Sequence, residues 1–109
     1  MKDIIWTEDA AEDLLDIITY QKLKYGVEKA NAVYASIQKR VSSLLNYPQK
    51  GRIVPELHSI GVTSYHELIE HPWRIIYRVT ETAVYIVSLL DSRRNVEEVL
   101  YKKMIDGKL

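Results

Sequence analysis

Residues 65–95, YHELIEHPWRIIYRVTETAVYIVSLLDSRRN, leave the chain few ways to fold. Three runs rich in Ile, Val, Tyr and Trp are interrupted by His71-Pro72 and by Thr80-Glu81-Thr82. Breaks this short force tight turns between neighbouring strands. Side chains alternate across a strand, so Arg74, Ile76 and Arg78 share one face of the middle run, and Ile75, Tyr77 and Val79 the other. A guanidinium row would then stand on a rigid sheet near a second pair, Arg93 and Arg94. Such a row suits an anionic surface, because guanidinium grips carboxylate or phosphate through a planar fork. The competing role is a set of strand arginines paired with Glu67, Glu70 and Glu81. Eight tyrosines and no phenylalanine put the aromatic weight on residues with a polar tip. Tyr77 and Tyr85 are expected to pair across adjacent strands.

Upstream, the hydrophobic period changes from strand to helix. Lys2 to Trp6 reads as a short strand. Thr7 is placed to cap a helix, and Glu8 and Asp9 suit the positive end of its dipole. Ala11, Leu14, Leu15 and Ile18 recur at i, i+3, i+4 and i+7 as its buried face. Gly26 stops that helix. A second runs from Val27 to Asn46 with Ala30, Val33, Tyr34, Ile37, Val41, Leu44 and Leu45 as its apolar stripe, and Tyr47-Pro48 ends it. So short a link makes an antiparallel helical hairpin. Gly51 to Leu57 reads as extended, with Pro55 confining it to a sheet edge or a strand end. His58 to Ser64 is a loop. After the three strands, Asn95 caps a last helix with Glu98 three positions on, and Val96, Val99, Leu100 and Met104 form its apolar side. The order β-α-α-β-β-β-β-α predicts one α+β domain over residues 1–109, with the hairpin packed on a mainly antiparallel sheet.

Composition excludes several chemistries. Without cysteine there is no disulfide, thiolate nucleophile or Cys-ligated zinc. His58, His66 and His71 lack helical i, i+4 spacing, which argues against a metal site. The glycines make no phosphate loop, and no serine sits in a nucleophile elbow. No metal and no cofactor are therefore expected. No apolar run approaches the ~20 residues of a membrane span. The start, MKDIIWTEDA, lacks signal-peptide character, so the expected location is cytoplasmic, without a membrane partner. The net charge is zero but uneven: the first twenty residues carry six acids and one lysine. Bulk charge does not favour nucleic-acid binding, whereas a local basic face remains compatible with it.

Four pieces taken in order resemble a known family: WTEDAAEDLLDIITY after a strand, PQKGRIVPEL, YHELIEHPWRIIYRV, and VYIVSLLDSRRN. The GR-x-VPEL element followed by an RELI-like strand and a W-R-I-I-Y-R-V strand is the most specific part. Across nearly its whole length the chain resembles the RelE/ParE superfamily of toxins from type II toxin-antitoxin modules. The resemblance implies a small intracellular toxin neutralised by a cognate antitoxin, with plasmid stabilisation among its roles. ParE-like members inhibit DNA gyrase and have no established catalytic residue set. RelE-like members cleave messenger RNA on the ribosome, using basic residues and a C-terminal tyrosine. The GR-x-VPEL and RELI-like elements lean toward the ParE-like branch. The alternatives are an mRNA endoribonuclease and an inactive member that only binds antitoxin.

The resemblance assigns residues in three groups. For RNA cleavage the candidates are Arg74, Arg93, Arg94, His66 and Tyr101, although Leu68 occupies a position where that branch has a second basic residue. For target binding they are Arg52, Arg74, Arg78, Arg93 and Arg94. For the antitoxin they are Asp13, Asp16, Ile17 and Tyr20, because apolar residues beyond the main stripe offer a groove and an acidic helix favours a partner carrying Lys or Arg. The chain is expected alone, as a homodimer, or in a hetero-oligomer with its antitoxin.

Overall fold

The computed structural model describes residues 2–109. Its strands are β1 (Asp3–Trp6), β2 (Arg52–Ile53), β3 (Tyr65–Glu70), β4 (Trp73–Val79) and β5 (Ala83–Asp91). Its helices are α1 (Glu8–Tyr25), α2 (Val27–Ser42), α3 (Pro55–His58) and α4 (Val96–Ile105). All strands join one sheet in the order β1-β5-β4-β3-β2, and only the β1–β5 pair is parallel. The α+β class and the expected order hold, with one insertion. Gly51 to Leu57 is not extended throughout, because after two strand residues the chain turns into α3. Pro55 is the cause: it occupies the first turn of that helix, where its missing N–H costs nothing.

The helices begin and end as the sequence dictates. Thr7 Oγ1 accepts the Ala10 N–H at 3.2 Å, capping α1. Gly26, at φ +94°, reverses the chain between α1 and α2 in a conformation that L side chains rarely adopt. Asn95 Oδ1 accepts the Glu98 N–H at 3.2 Å and caps α4.

Two cores sandwich the sheet. On one face Ala10, Val33, Ile37, Val41 and Leu44 of the helical layer meet Leu68, Trp73, Ile75, Tyr77, Val84, Ile86 and Leu89. On the other, Val54, Leu57, Val96 and Leu100 cover Ile76, Val87 and Leu90. Truncating a fully buried residue such as Ile37 to Ala would cost about 2–5 kcal/mol.

Three expectations about faces need correction. Ala11 and Leu15 are exposed, and the buried stripe of α1 runs through Ala10, Leu14, Ile17, Ile18 and Gln21. Two overlapping stripes compete on this helix, and the one selected has a polar residue at its end. Tyr34 and Leu45 are also exposed, because contact with the sheet takes only the narrow line Ala30, Val33, Ile37, Val41, Leu44. Tyr77 and Tyr85 do not pair. Tyr77 lies opposite Ile86 in the hairpin-side core, while the Tyr85 ring sits 4.4 Å below the guanidinium of Arg78.

A bulge in β5 explains where its later residues point. Ile76 pairs with Ser88 and Tyr77 with Ile86, leaving Val87 as the extra residue. Val84 and Ile86 face the hairpin before the bulge; Leu89 does so after it. The bulge also coincides with the end of β1, whose last pairing is Trp6 with Ile86. Beyond that point the outer edge of β5 lacks a strand neighbour, and the side chain of Asp13 takes its place. Asp13 Oδ2 accepts the Leu89 N–H at 3.0 Å and faces the Ser88 hydroxyl at 3.3 Å.

Candidate functional site

Each candidate residue was assigned by its place in the sequence, and the fold redistributes them. Arg74 is buried rather than presented. Its Nε reaches Glu67 Oε1 at 2.6 Å, and its Nη1 and Nη2 grip Glu56 at 2.9 and 2.7 Å. The second oxygen of Glu67 takes Arg52 Nε at 2.7 Å. The result is a ladder, Arg52–Glu67–Arg74–Glu56, whose central pair has almost no contact with solvent. Its alternating charges satisfy one another, as buried charges must. Hydrogen bonding to Arg74 holds the Glu56 carboxyl below the ordinary range and pushes the guanidinium up.

The ladder accounts for the most specific part of the sequence signature. Gly51 is needed because a Cβ there would lie 2.4 Å from the Glu67 carbonyl oxygen and 2.6 Å from the Tyr77 hydroxyl. The Gly51 N–H donates to that hydroxyl at 2.8 Å. Arg52 and Glu56 flank the buried Val54, and Leu57 fills the core beneath. GR-x-VPEL, the central Glu67 and Arg74 are thus one structural unit.

Arg78 lies at the other end of the sheet from Arg93 and Arg94. The strand from its partner Tyr85 to Asp91 spans roughly 20 Å at about 3.3 Å per residue. Arg78 borders a depression lined with Glu8, Asp9 and Glu12, which gives it acidic surroundings. The expected row of exposed guanidinium groups is therefore not formed. His66 packs beside Tyr77, ring centres 5.9 Å apart, and its Nδ1 is buried without a partner among the described residues. Tyr101 borders a separate concavity on α4, among Asn95, Glu97, Glu98 and Lys102. His66, Arg74 and Tyr101 do not converge. Among the described residues no cluster of His, Asp or Glu is arranged to hold a metal, and no helix is long and apolar enough to cross a membrane.

Arg93 and Arg94 do find company. They line a cleft of about 400 Å³ between α1 and the end of β5, together with Asp13, Asp16, Ile17 and Tyr20. Residues the sequence assigned to two different partners thus share one cavity. Asp91 organises its rim: it accepts from the Arg93 backbone at 2.8 Å and from Arg93 Nε at 2.9 Å. That contact with Arg93 depresses the Asp91 carboxyl below its usual range and raises the guanidinium. Arg94 is exposed and forms no ion pair with the described residues. Asp16 is in the same condition.

Asp13 has a different role from the one expected of it. It is a bracket between layers, receiving Leu89 and Ser88 from β5 and Lys103 Nζ from α4 at 2.8 Å. Lys103 also reaches Asp9 at 2.6 Å. Burial outweighs these contacts and raises the Asp13 carboxyl above its ordinary value. Ile17 is partly core and partly cleft wall, and Tyr20 is about half exposed.

Sequence reasoning missed Gln21, Trp73, Leu89 and Leu90, which form the floor and wall of the cleft. One signal was available for Gln21: it continues the stripe Leu14, Ile17, Ile18 as a polar residue in an apolar line.

Comparison with known proteins agrees with this architecture. The family model described as the ParE toxin of the type II toxin-antitoxin system parDE matches residues 4–96. A solved structure, the chromosomal ParDE TA system from P. aeruginosa, superposes with a TM-score of 0.69 at 26% identity, covering 84% of this chain and 96% of that one. No curated protein sequence matches the chain. Extending from β1 through the sheet to the start of α4, the match leaves little of the fold outside it, and the chain belongs to the ParE toxin family of type II toxin-antitoxin systems.

Proposed function

We infer that the chain is the toxin of a two-protein module, held in check by an antitoxin, and that it arrests growth by binding DNA gyrase rather than by cutting RNA. Membership of the ParE family supports the toxin role. The solved relative is a ParDE system, which supports an antitoxin partner.

The observation that carries the choice of target is the fate of Arg74. RNA cleavage at a 2′-hydroxyl needs a base, an acid and donors aimed at a developing negative charge. Arg74 is the strand arginine nominated for that charge, and all of its bonds go to Glu67 and Glu56. His66 and Tyr101 are not beside it. What remains at the surface is a pair of arginines on the rim of an amphipathic cleft, an arrangement suited to gripping a protein. The target-binding set thereby contracts to Arg93 and Arg94, with Arg52 and Arg78 at separate places on the surface.

The test is induced expression without antitoxin, scoring ribosome-associated messenger cuts and gyrase–DNA cleavage complexes in the same cells. Gyrase complexes, or lost supercoiling with intact messenger, are the expected result. Messenger cuts without gyrase effects would overturn it in favour of the ribonuclease. Normal growth with folded protein would overturn it in favour of an inactive, antitoxin-binding member.

A further inference from the structure

The net charge of zero conceals a division along the chain. Residues 29–55 carry Lys29, Lys39, Arg40, Lys50 and Arg52 and no carboxylate at all, opposite in sign to the acidic first twenty residues. Arg52 is spent on Glu67 in the ladder. Of the other four, Lys39, Arg40 and Lys50 line one concavity of about 370 Å³ together with Ser36, Ser43 and Glu70. It lies between the later part of α2 and the end of β3, and it shares no residue with the cleft that holds Arg93 and Arg94. Lys29 stands on the same side of α2, about two turns before Ser36. From Lys29 to Arg40 this line of cations is about 16 Å long at roughly 1.5 Å per residue.

Two observations separate this face from an ordinary solvated one. Its cations are largely unspent: Lys29, Lys39 and Lys50 are exposed and form no ion pair among the described residues, and only Arg40 is engaged, to Glu70 at 3.2 Å. The helix dipole accounts for Lys39 and Arg40 in the last turn of α2, but Lys29 sits at the opposite, unfavourable end and Lys50 lies beyond the helix. The lining is also polar throughout. A docking site for a protein segment needs an apolar anchor at its centre, and no apolar residue lines this concavity. It offers charge and the Ser36 hydroxyl, while the Ser43 hydroxyl donates to the Arg40 carbonyl at 2.6 Å.

We propose that this face holds the phosphate backbone of duplex DNA, so that the chain grips gyrase through Arg93 and Arg94 and the DNA on which gyrase works through α2 and Lys50. The proposal rests on the gyrase reading above. Charge complementarity selects this occupant. Duplex DNA presents one phosphate charge per about 1.7 Å of its axis, so several fall along a line of this length. Phosphates are contacted by amines, guanidinium groups and hydroxyls, which is the set present, and such contacts position a duplex without reading its sequence. Glu70 is the one carboxylate at the concavity. It holds Arg40 and repels a phosphate, and so it attenuates the grip. Each of the two contacts would raise the effective concentration of the chain at the other.

The probe is a short fluorescent DNA duplex of mixed sequence, titrated with the full chain at several salt concentrations. Binding should weaken steeply as salt rises. Lys39→Gln combined with Lys50→Gln should weaken it by about tenfold or more and lower the slope of log K against log salt by about two. Glu70→Gln should strengthen it, a sign that a variant which merely loosened the fold would not give. Lys102→Gln, removing an exposed cation on α4, should stay within about twofold. Absence of binding by wild type, or equal losses from the Lys39 and Lys50 pair and from Lys102, would overturn the proposal. Tighter binding of duplex RNA or of poly-glutamate in competition would overturn it in favour of an RNA or an acidic protein. Gyrase supercoiling measured alongside keeps the two readings apart. If wild type binds the duplex and leaves gyrase untouched, the gyrase reading falls and the DNA face stands. If it inhibits gyrase without binding the duplex, the gyrase reading stands and the DNA face is wrong.

Discussion

Two groups of arginines in this molecule obey the same electrostatics with opposite outcomes. In the ladder, Arg74 has carboxylates on both sides, and its partner Glu67 is fully enclosed. In the cleft, Arg94 stands in solvent without an ion pair among the described residues. The first arrangement holds four segments together: β2, the α3 turn, β3 and β4. The second leaves binding capacity unspent. A charged side chain acquires its role from the number of its donors that folding leaves over, and residue type alone does not reveal that number.

The sharpest break of this comparison is Arg74→Ala. It leaves Glu67 and Glu56 without their main cation, and Glu67 cannot reach water. A loss of about 3–5 kcal/mol is expected, read by denaturant unfolding. A domain of ordinary stability would lose a large part of its total. The same substitution at Arg94 should leave stability within about 0.5 kcal/mol. If the two variants unfold alike, the distinction between ladder and cleft is unsound.

Gly51→Ala probes the same unit from its backbone. The added methyl must displace either the Glu67 carbonyl or the Tyr77 hydroxyl, so a cost of about 1–3 kcal/mol is expected. Thermal unfolding measures it, and an unchanged midpoint would show that the close approach is relaxed in solution.

The smallest effects concern acid, and they run in opposite directions. The folded state depresses the Glu56 carboxyl, so Glu56 stabilises above its unfolded value, and that stabilisation is lost as pH falls through the folded value. Glu56→Gln should flatten the acid limb of the stability curve. Asp13 is raised, so its ionised form is disfavoured by folding, and the penalty is relieved as pH falls through its folded value. The stability of wild type relative to Asp13→Asn should therefore increase on mild acidification. Chemical denaturation at a series of pH values reads both, and parallel responses would contradict the assignment.

Most of the architecture was legible because it depends on local period. Alternation marked three strands, Thr7 and Asn95 marked two helix starts, and Gly26 marked the reversal between helices. The turn of α3 was missed for want of length, although Pro55 was the clue. The face of α1 was misread because Ala11 and Leu15 fit one helical stripe as well as Ala10 and Leu14 fit another, and the sheet decides between them. The ladder was half legible. Glu67 could be named as an arginine partner, but Glu56 lies eighteen residues from Arg74 in the chain, on an element that the sequence reading left extended. The cleft depends wholly on tertiary structure: nothing local brings Tyr20 toward Arg93.

The Asp13 carboxylate on the Leu89 N–H has a consequence for the behaviour of many copies together. A strand whose neighbour stops halfway offers bare backbone donors, and such an edge recruits strands from other molecules. Here a helix-borne anion occupies the donor beside the bulge, where an arriving strand would have to displace a carboxylate also tied to Lys103. Resistance to edge-to-edge aggregation is thus written into the first helix, in a residue whose sequence context suggested a contact for the antitoxin.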